Sequence, residues 1–186
     1  MRRAVWLVAV VVAAAAAALI VQTWVVKPYR IPSGSMLDTL RPGDRVLVDR
    51  VVYHLRDPHR GDIVVFTPPD ERGVVYIKRI VGVPGDVLVS RDGRLYVNGH
   101  RAVEPYVHRT DGRADPTCAL AGGGADGTSA PWCLAEPYTV PPGHYFMMGD
   151  NRTDSDDSRD WGTVPRSAIV GEGMVTCWPL SRLRSL

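Results

Sequence analysis

Hydrophobic residues are concentrated at the start of the chain. Residues 4–26 contain no charged side chain, and only Gln22 and Thr23 among them are clearly polar. At about 1.5 Å per residue, a helix of this length spans the hydrocarbon core of a bilayer, which is roughly 30 Å thick. Trp6 and Trp24 lie near the two ends, where indole rings favour the membrane interface. The pattern predicts one N-terminal transmembrane helix.

The charges beside this run predict its orientation. Arg2 and Arg3 precede it, and short basic flanks tend to stay in the cytoplasm. We therefore expect the N-terminus inside and the rest of the chain outside the cytoplasm. A cleavable signal peptide is the alternative, but its apolar region usually has only about 7–15 residues. The length favours an uncleaved anchor within residues 1–26.

Beyond the anchor, the pattern changes to short runs rich in Val, Ile and Tyr, separated by Gly, Pro and Asp. Closely spaced runs of this kind are typical of the strands of an all-β domain. The pairs Asp92-Gly93 and Asn98-Gly99 favour tight hairpin turns. The predicted strands cover residues 45–52, 62–66, 74–83, 87–90, 95–97, 145–148 and 169–177.

The stretch from about residue 111 to 137 lacks these strand patterns. It contains the Gly-rich run 121–127, which predicts a long surface excursion. We expect a core of residues 27–87 and 142–186, with an inserted β subdomain over residues 88–141. The predicted fold class is mainly β: an antiparallel-sheet core with a small inserted subdomain, preceded by the transmembrane helix.

Composition narrows the class of protein. The 186 residues carry a net charge of +2, and 45% of them are hydrophobic. This apolar fraction is typical of a chain with a packed core rather than a disordered one. A nucleic-acid-binding face would need a strongly basic composition, so no nucleic-acid partner is expected. No Cys or His spacing fits a metal site, so we expect neither a metal nor a cofactor.

Three cysteines are present in the chain. Cys118 and Cys133 bracket the Gly-rich run, and in an extracytoplasmic domain a disulfide between them would close that loop. Two free thiols are the alternative, which the spacing does not exclude. Cys177 lies in an apolar run, so we expect it to be a small buried core residue.

A Ser-Gly-Ser motif follows the anchor by a few residues. Ser33 and Ser35 flank Gly34, which permits a tight turn close to a reacting group. A hydroxyl nucleophile needs a base, and a neighbouring hydroxyl or amide can stabilise the oxyanion. Taken alone, the motif is more typical of an ordinary turn. None of the five histidines lies in a recognisable triad motif.

A lysine in a predicted strand is a candidate for the base. Alternation places Lys78 on one face with Val74, Tyr76 and Ile80, as the lone charge there, whereas Arg79 points the other way. Burial would lower the pKa of Lys78, and a neutral amine can act as a general base. A lysine that extends to solvent at a strand edge is the alternative.

A charged loop at residues 149–159 follows the predicted strand 145–148. Its carboxylates suit either a solvated loop or a calcium-binding loop. The spacing of an EF-hand is absent, because neither its glycine nor its terminal glutamate is in place. The loop alone does not distinguish these alternatives.

Together these motifs resemble those of the bacterial type I signal peptidases, also called leader peptidases. The resemblance rests on an ordered set of motifs along nearly the whole chain, beginning with the N-terminal anchor. The matching segments are PSGSM at residues 32–36, RGDIV at 60–64, YIKR at 76–79, VGVPGD at 81–86 and GDNRTDSDDSR at 149–159.

The resemblance implies a role for each candidate. Ser35 would be the nucleophile and Lys78 its general base. Ser33 would donate to the oxyanion together with the Ser35 backbone N–H, and Ser155 would orient the Lys78 amine. The residues implied to support the site are Asp150, Arg79, Asp157 and Arg159. Those implied to line the shallow S1 and S3 pockets are Tyr29, Ile31, Met36, Leu40, Tyr76 and Ile77.

The implied activity is that of a membrane-anchored serine endopeptidase. It would remove signal peptides from translocated preproteins after small residues (Ala-X-Ala), through an acyl-enzyme. Its partners would be signal peptides and membrane lipid. The chain would be a monomer in the bacterial cell membrane, with its catalytic domain outside the cytoplasm. Two positions depart from the family: Asp38 stands where proline is usual, and Thr153 where aspartate is common.

Two other classes of function are alternatives. An anchored extracytoplasmic β-domain could bind exported proteins without cutting them, but the intact Ser35 and Lys78 argue against it. A self-cleaving repressor-type protein shares the Ser-Lys chemistry. It would need a DNA-binding helical segment at the N-terminus, where this chain has an uncharged helix.

Overall fold

The computed structural model of the chain describes residues 2–20, 25–68, 73–109 and 134–186. The predicted pair Cys118 and Cys133 and the Gly-rich run 121–127 lie outside the described residues. Helix α1 (Arg2–Ile20) covers most of the uncharged N-terminal run. Within the described ranges, no helix meets the combination of length and apolar character needed to cross a membrane.

Beyond α1, the regular secondary structure of the described residues is mainly β, as the sequence predicts. Two short helices, α2 (Val52–Leu55) and α3 (Ser158–Trp161), and two 3-10 turns, Arg166–Ala168 and Leu180–Arg182, interrupt it. The strands are β1 (Val26–Arg30), β2 (Arg45–Asp49), β3 (Ile63–Phe66), β4 (Tyr76–Gly82), β5 (Val87–Arg91), β6 (Arg94–Val97), β7 (His100–Arg101), β8 (Tyr138–Thr139), β9 (His144–Met148), β10 (Val164–Pro165), β11 (Ile169–Trp178) and β12 (Arg184–Ser185).

The strands form two sheets. The larger has the order β1-β2-β11-β3-β4-β9-β10, with β12 paired to β11, and the smaller has the order β7-β6-β5-β8. Every strand pairing among the described residues is antiparallel, which confirms the mainly β, antiparallel fold class. The smaller sheet lies between Val87 and Thr139 in the sequence. The exact domain boundaries stay a prediction.

Two of the predicted turns are present in the smaller sheet. Asp92 and Gly93 have φ angles of 50° and 64°, and they join β5 to β6. Asn98 and Gly99 have φ angles of 52° and 80°, and they join β6 to β7. Positive φ at both central residues is the signature of the two-residue hairpin turn that these pairs favour.

Strand β4 lies in the middle of the larger sheet, between β3 and β9. Three hydrophobic clusters surround its side chains. Ile77 packs against the cluster that contains Met36, Ile80 belongs to the cluster that contains Phe66, and Val81 belongs to a cluster that includes residues of the smaller sheet. Both Lys78 and Arg79 are consequently buried, with 4% and 9% of their surface exposed. The sequence predicted Lys78 as the lone charge on its own face of the strand, but it did not predict that Arg79, on the other face, is buried as well.

The structure differs from the predicted elements in three places. Strand β1 was not predicted; it contains Pro28 and lies at the edge of the sheet, where proline is tolerated. The predicted strand 45–52 ends at Asp49, since helix α2 follows. Cys177 is only half-buried near the end of β11, not a fully buried core residue.

Candidate active site

The Ser-Gly-Ser motif lies in a turn that the hydrophobic core holds from both sides. Ile31 precedes it with 3% of its surface exposed, and Met36 and Leu40 follow it with 0% exposed. The Leu40 N–H donates to the Met36 carbonyl oxygen at 2.7 Å, which closes one helical turn. Burial of these apolar side chains therefore fixes Ser35 at the edge of the core.

Lys78 is buried in β4, with Val64 as its partner in β3. Its Nζ donates to the Oγ of Ser155 at 3.1 Å. Burial lowers the pKa of Lys78, because the charged ammonium loses water, and the carboxylates of Asp157 and Asp156 oppose this effect. The amine is thus easier to deprotonate than that of an exposed lysine.

Ser35 and Lys78 both line one cavity of about 400 Å³. In the described part of the chain, no direct hydrogen bond joins their side chains; the Ser33 hydroxyl instead donates to Ser35 Oγ at 3.5 Å. Catalytic hydrogen bonds are often long without substrate. The structure therefore brings the predicted nucleophile, base and oxyanion donor to one cavity.

The charged loop 149–159 links Lys78 to a buried carboxylate. Ser155 accepts the hydrogen bond from Lys78 and donates its own hydroxyl to Asp157 Oδ2 at 2.8 Å. Since the hydroxyl hydrogen is directed at Asp157, its oxygen presents a lone pair to the amine. This chain of hydrogen bonds orients the Lys78 amine.

Asp157 is fully buried because it has several partners. It caps the N-terminus of α3, accepts from the Gly149 N–H at 3.0 Å, and accepts from Arg159 Nε and Nη2 at 2.8 Å each. Burial is the largest effect and would raise the pKa of Asp157, but the charge and hydrogen bonds of Arg159, the charge of Lys78 and the Gly149 N–H together lower the pKa. Asp157 therefore stays ionised and holds Ser155 in place.

Gly149 allows the two serine-bearing loops to meet. A Cβ at this position would lie 2.2 Å from Ser155 Oγ and 2.5 Å from the Ser35 carbonyl oxygen. The next loop residue that contacts the nucleophile turn is Asn151, whose N–H donates to the same carbonyl at 3.0 Å. A residue without a side chain is thus required where Ser35 and Ser155 approach each other.

A second buried ion pair supports the nucleophile turn. Arg79 donates from Nε and Nη2 to the two Asp150 oxygens at 2.8 and 2.7 Å. Thr39 Oγ1 donates to Asp150 Oδ2 at 2.5 Å. The Arg79 guanidinium also stacks 3.9 Å from the centroid of the Tyr106 ring. The roles of Thr39 and Tyr106 were missed, since their contacts are distant in sequence.

A third buried pair was also missed. Arg152 donates from Nη2 to Glu104 Oε1 at 2.5 Å, and both side chains are almost completely buried. Glu104 belongs to the connection after β7, 48 residues before its partner. The only available signal was the arginine within the 149–159 motif, because nothing in the sequence identifies Glu104 as its partner.

The cavity contains only part of the predicted pocket lining. Tyr29, Ile31, Tyr76 and Ile77 line it. Met36 and Leu40 do not, because their side chains are buried in the core beneath the Ser35 turn. Lining residues that the sequence did not predict include Arg30, Pro32, Val65, Val74, Val75, Asp154 and Asp156.

The two fully buried carboxylates of the loop both have arginine partners. Asp150 and Asp157 are engaged by Arg79 and Arg159. No group of three metal-ligating side chains is present among the residues that the structure describes. The cavity is lined by the buried Lys78 amine and by the hydroxyls of Ser33 and Ser35. An amine and hydroxyls at one cavity are groups that can perform acyl transfer.

The two positions that depart from the family pattern both have polar contacts. Asp38 Oδ2 lies 2.8 Å from His108 Nδ1, and Thr153 Oγ1 donates to Asn151 Oδ1 at 3.3 Å. Neither contact involves Ser35 or the Lys78 amine directly. The effect of these two residues on activity stays a question of the loops that they belong to.

Comparisons with known proteins agree on one family. The chain matches the family described as signal peptidase, peptidase S26, over residues 3–178. It is 37% identical to a signal peptidase I of Pseudomonas aeruginosa, over 90% of this chain and 71% of that protein. It is 33% identical to a signal peptidase I of Bacillus licheniformis, over 96% of this chain and 90% of that protein. A crystal structure of a signal peptidase I from Enterococcus faecalis is 31% identical with a TM-score of 0.48, over 63% of this chain and 97% of that one.

The family match includes every element of the site. Ser35, Lys78 and the loop 149–159 all lie within the matched residues. The two relatives are similar to this chain over more than two thirds of their own length. The chain therefore belongs to the signal peptidase family, peptidase S26, and is a serine endopeptidase of that family.

Proposed function

We propose that this protein removes signal peptides from exported preproteins, with Ser35 as nucleophile and Lys78 as general base. The observation that carries the proposal is the burial of Lys78 at the cavity that Ser35 also lines. Burial lowers the pKa of Lys78 and so increases the fraction of neutral amine that can accept a proton. A protein that only binds exported chains needs no such amine.

The proposed reaction has two steps. Neutral Lys78 accepts the Ser35 hydroxyl proton while Ser35 Oγ attacks the scissile carbonyl carbon. The peptide C–N bond breaks, the leaving amine takes the proton from Lys78, and the signal peptide remains esterified to Ser35. Lys78 then accepts a proton from a water molecule that attacks the ester. The bond to Ser35 Oγ breaks, Ser35 regains its proton from Lys78, and the released signal peptide loses a proton to solvent and becomes a carboxylate.

Ser33 and the Ser35 backbone N–H are the proposed oxyanion donors. The Ser33 hydroxyl lies 3.5 Å from Ser35 Oγ, close enough to reach an oxygen bonded to the attacked carbon. A preorganised donor at that position stabilises the charge that develops in the transition state. Rotation of the Ser33 hydroxyl from Ser35 Oγ to the substrate oxygen would accomplish this.

The cavity lining supports a preference for small side chains. Tyr29 and Ile31 face the cavity from one segment, and Tyr76 and Ile77 face it from β4. Because β1 is an edge strand, its exposed backbone can pair with an extended peptide. We propose that the peptide presents Ala-X-Ala to these apolar groups, with the scissile bond at Ser35.

Membrane anchoring through residues 4–26 completes the proposal. The uncharged run and the preceding Arg2 and Arg3 support an anchor with a cytoplasmic N-terminus and an outward-facing catalytic domain. An anchor would raise the local concentration of membrane-held substrates. Its removal should therefore reduce the processing of membrane-bound preproteins more than the cleavage of a short soluble peptide.

A preprotein-processing assay tests the catalytic assignment. Ser35→Ala and Lys78→Ala should each abolish processing while the thermal melt stays cooperative. Ser90→Ala, in the smaller sheet, and Lys27→Ala, which removes the only other lysine, are the matched controls and should retain processing. Full-rate processing by either active-site variant would refute the assignment.

A further inference from the structure

The end of the described chain returns to the turn that carries Ser35. Strand β12 pairs with β11, and Arg184 within it donates from Nη2 to the Thr39 carbonyl oxygen and, at 3.3 Å, to the Asp38 carbonyl oxygen. Leu186 packs against the cluster that includes Met36 and Leu40. These contacts join residues 184–186 to the segment directly after the proposed nucleophile.

A second arginine from the same region holds the other end of this segment. Arg182 donates to both carboxylate oxygens of Asp44, at 3.0 to 3.2 Å. Asp44 also accepts from the Arg41 N–H at 2.9 Å, and its carbonyl oxygen accepts from the Ile31 N–H at 2.9 Å. Asp44 is 2% exposed, so this pair is part of the packed structure rather than a loose surface contact.

The opposite side of the segment has its own contacts. The Thr39 hydroxyl donates to Asp150, and Asp38 contacts His108 at 2.8 Å. Arg184 therefore binds the backbone of two residues whose side chains are already held elsewhere. Residues 38–44 are thus held by four side chains, those of His108, Asp150, Arg182 and Arg184. These contacts limit the movement of the turn at Ser35.

We infer that Arg184 is a positioning residue, which holds residues 38–39 and thereby fixes the direction of the Ser35 hydroxyl. This inference rests on the proposed role of Ser35 as nucleophile. The family match ends at residue 178, before Arg182 and Arg184. The Arg184 guanidinium donates to main-chain carbonyl oxygens. Its hold on residues 38–39 therefore depends on its own N–H donors and not on the side chains of Asp38 and Thr39.

Kinetics of the full chain separate positioning from mere stability. Arg184→Ala should lower the single-turnover cleavage rate of a saturating Ala-X-Ala peptide by about tenfold, because catalysis is sensitive to small displacements. KM should change little, since Arg184 does not line the cavity. Arg184→Lys keeps one donor and should recover part of the rate. Arg101→Ala, in the smaller sheet, is the control and should match the parent.

Amide hydrogen exchange provides a test that does not depend on catalysis. Arg184→Ala should speed exchange at the N–H groups of Leu37 and Leu40, which are hydrogen-bonded within the turn, and leave exchange in β4 unchanged. Unchanged exchange and an unchanged cleavage rate would overturn the inference. Faster exchange at Leu37 and Leu40 would support the role of Arg184 in holding this turn, whatever the activity of Ser35→Ala. Retained activity in Ser35→Ala would refute the proposed function alone.

Discussion

Gly149 lies where the loop that carries Ser155 approaches the turn that carries Ser35, and a substitution there tests whether this contact matters for catalysis. An alanine Cβ would lie 2.2 Å from Ser155 Oγ and 2.5 Å from the Ser35 carbonyl oxygen. Heavy atoms in contact normally lie about 3.5–4.0 Å apart, so the two loops would separate by roughly 1 Å. Gly149 is not among the glycines with positive φ, so the substitution adds a clash without backbone strain.

Gly149→Ala should therefore harm catalysis more than stability. Overpacking of this kind costs about 1–3 kcal/mol. At about 2–4 °C per kcal/mol for a chain of this size, Tm should fall by roughly 2–12 °C. A displacement of about 1 Å at catalytic groups should lower kcat by about 100-fold. The assay is peptide cleavage at saturating substrate, corrected for the folded fraction from a thermal melt.

Gly171→Ala is the matched control for this substitution. Its Cβ would lie 2.2 Å from the Asp49 carbonyl oxygen, and neither residue lines the cavity. This variant should lose stability, but its folded fraction should cleave at the parent rate. If Gly149→Ala cleaved as fast as Gly171→Ala, the contact between the two serine loops would have no role in catalysis.

Two other predictions follow from the buried charges. The value of kcat/KM should rise with pH and level off above the pKa of Lys78, because only the neutral amine accepts a proton. A midpoint at or above 10.5, the ordinary pKa of lysine, would contradict the lowered pKa of Lys78. Asp157→Asn should lower the free energy of unfolding by about 3–5 kcal/mol at neutral pH, because the buried Arg159 guanidinium loses its ion pair with the Asp157 carboxylate. Since the folded-state pKa of Asp157 is lowered, the parent loses this stabilisation as the pH falls through that pKa. Denaturant titrations at neutral and acidic pH should therefore show the difference between the two proteins shrinking in acid.

The burial of Lys78 has a cost that the rest of the site must offset. A buried ammonium lacks water, and the Lys78 amine donates to the neutral hydroxyl of Ser155. Asp157 and Asp156 attract its charge but do not restore the pKa to the ordinary lysine value. The burial that makes the neutral Lys78 amine available for catalysis is thus the burial that destabilises the charged Lys78 ammonium. Such a conflict between activity and stability is common at functional sites.

Local patterns in the sequence were sufficient for much of the fold. Runs of Val and Ile located the long strands, since alternating and β-branched side chains suit a pleated sheet. Asp92-Gly93 and Asn98-Gly99 predicted hairpins because their residues tolerate the positive φ that such turns need. The two-residue strands β7, β8, β10 and β12 were missed, since two residues carry no periodic signal.

The candidate site was only partly predictable for a related reason. Lys78 stood out as a charge within an apolar strand, and the resemblance supplied the partners Ser35 and Ser155. The pairing of Glu104 with Arg152 depends on how the chain folds back over 48 residues, so no local pattern reveals it. Met36 resembled a pocket residue in sequence, but the packing of the turn places it in the core.

The central claim is that Ser35 becomes acylated by the signal peptide with Lys78 as its base. Rapid acid quench during turnover of an Ala-X-Ala substrate, followed by mass spectrometry of the digested enzyme, measures this directly. We expect the mass of the N-terminal product on the peptide that contains Ser35, and no adduct in Lys78→Ala. Turnover at the full rate with no adduct on Ser35, or an adduct on another residue, would contradict it.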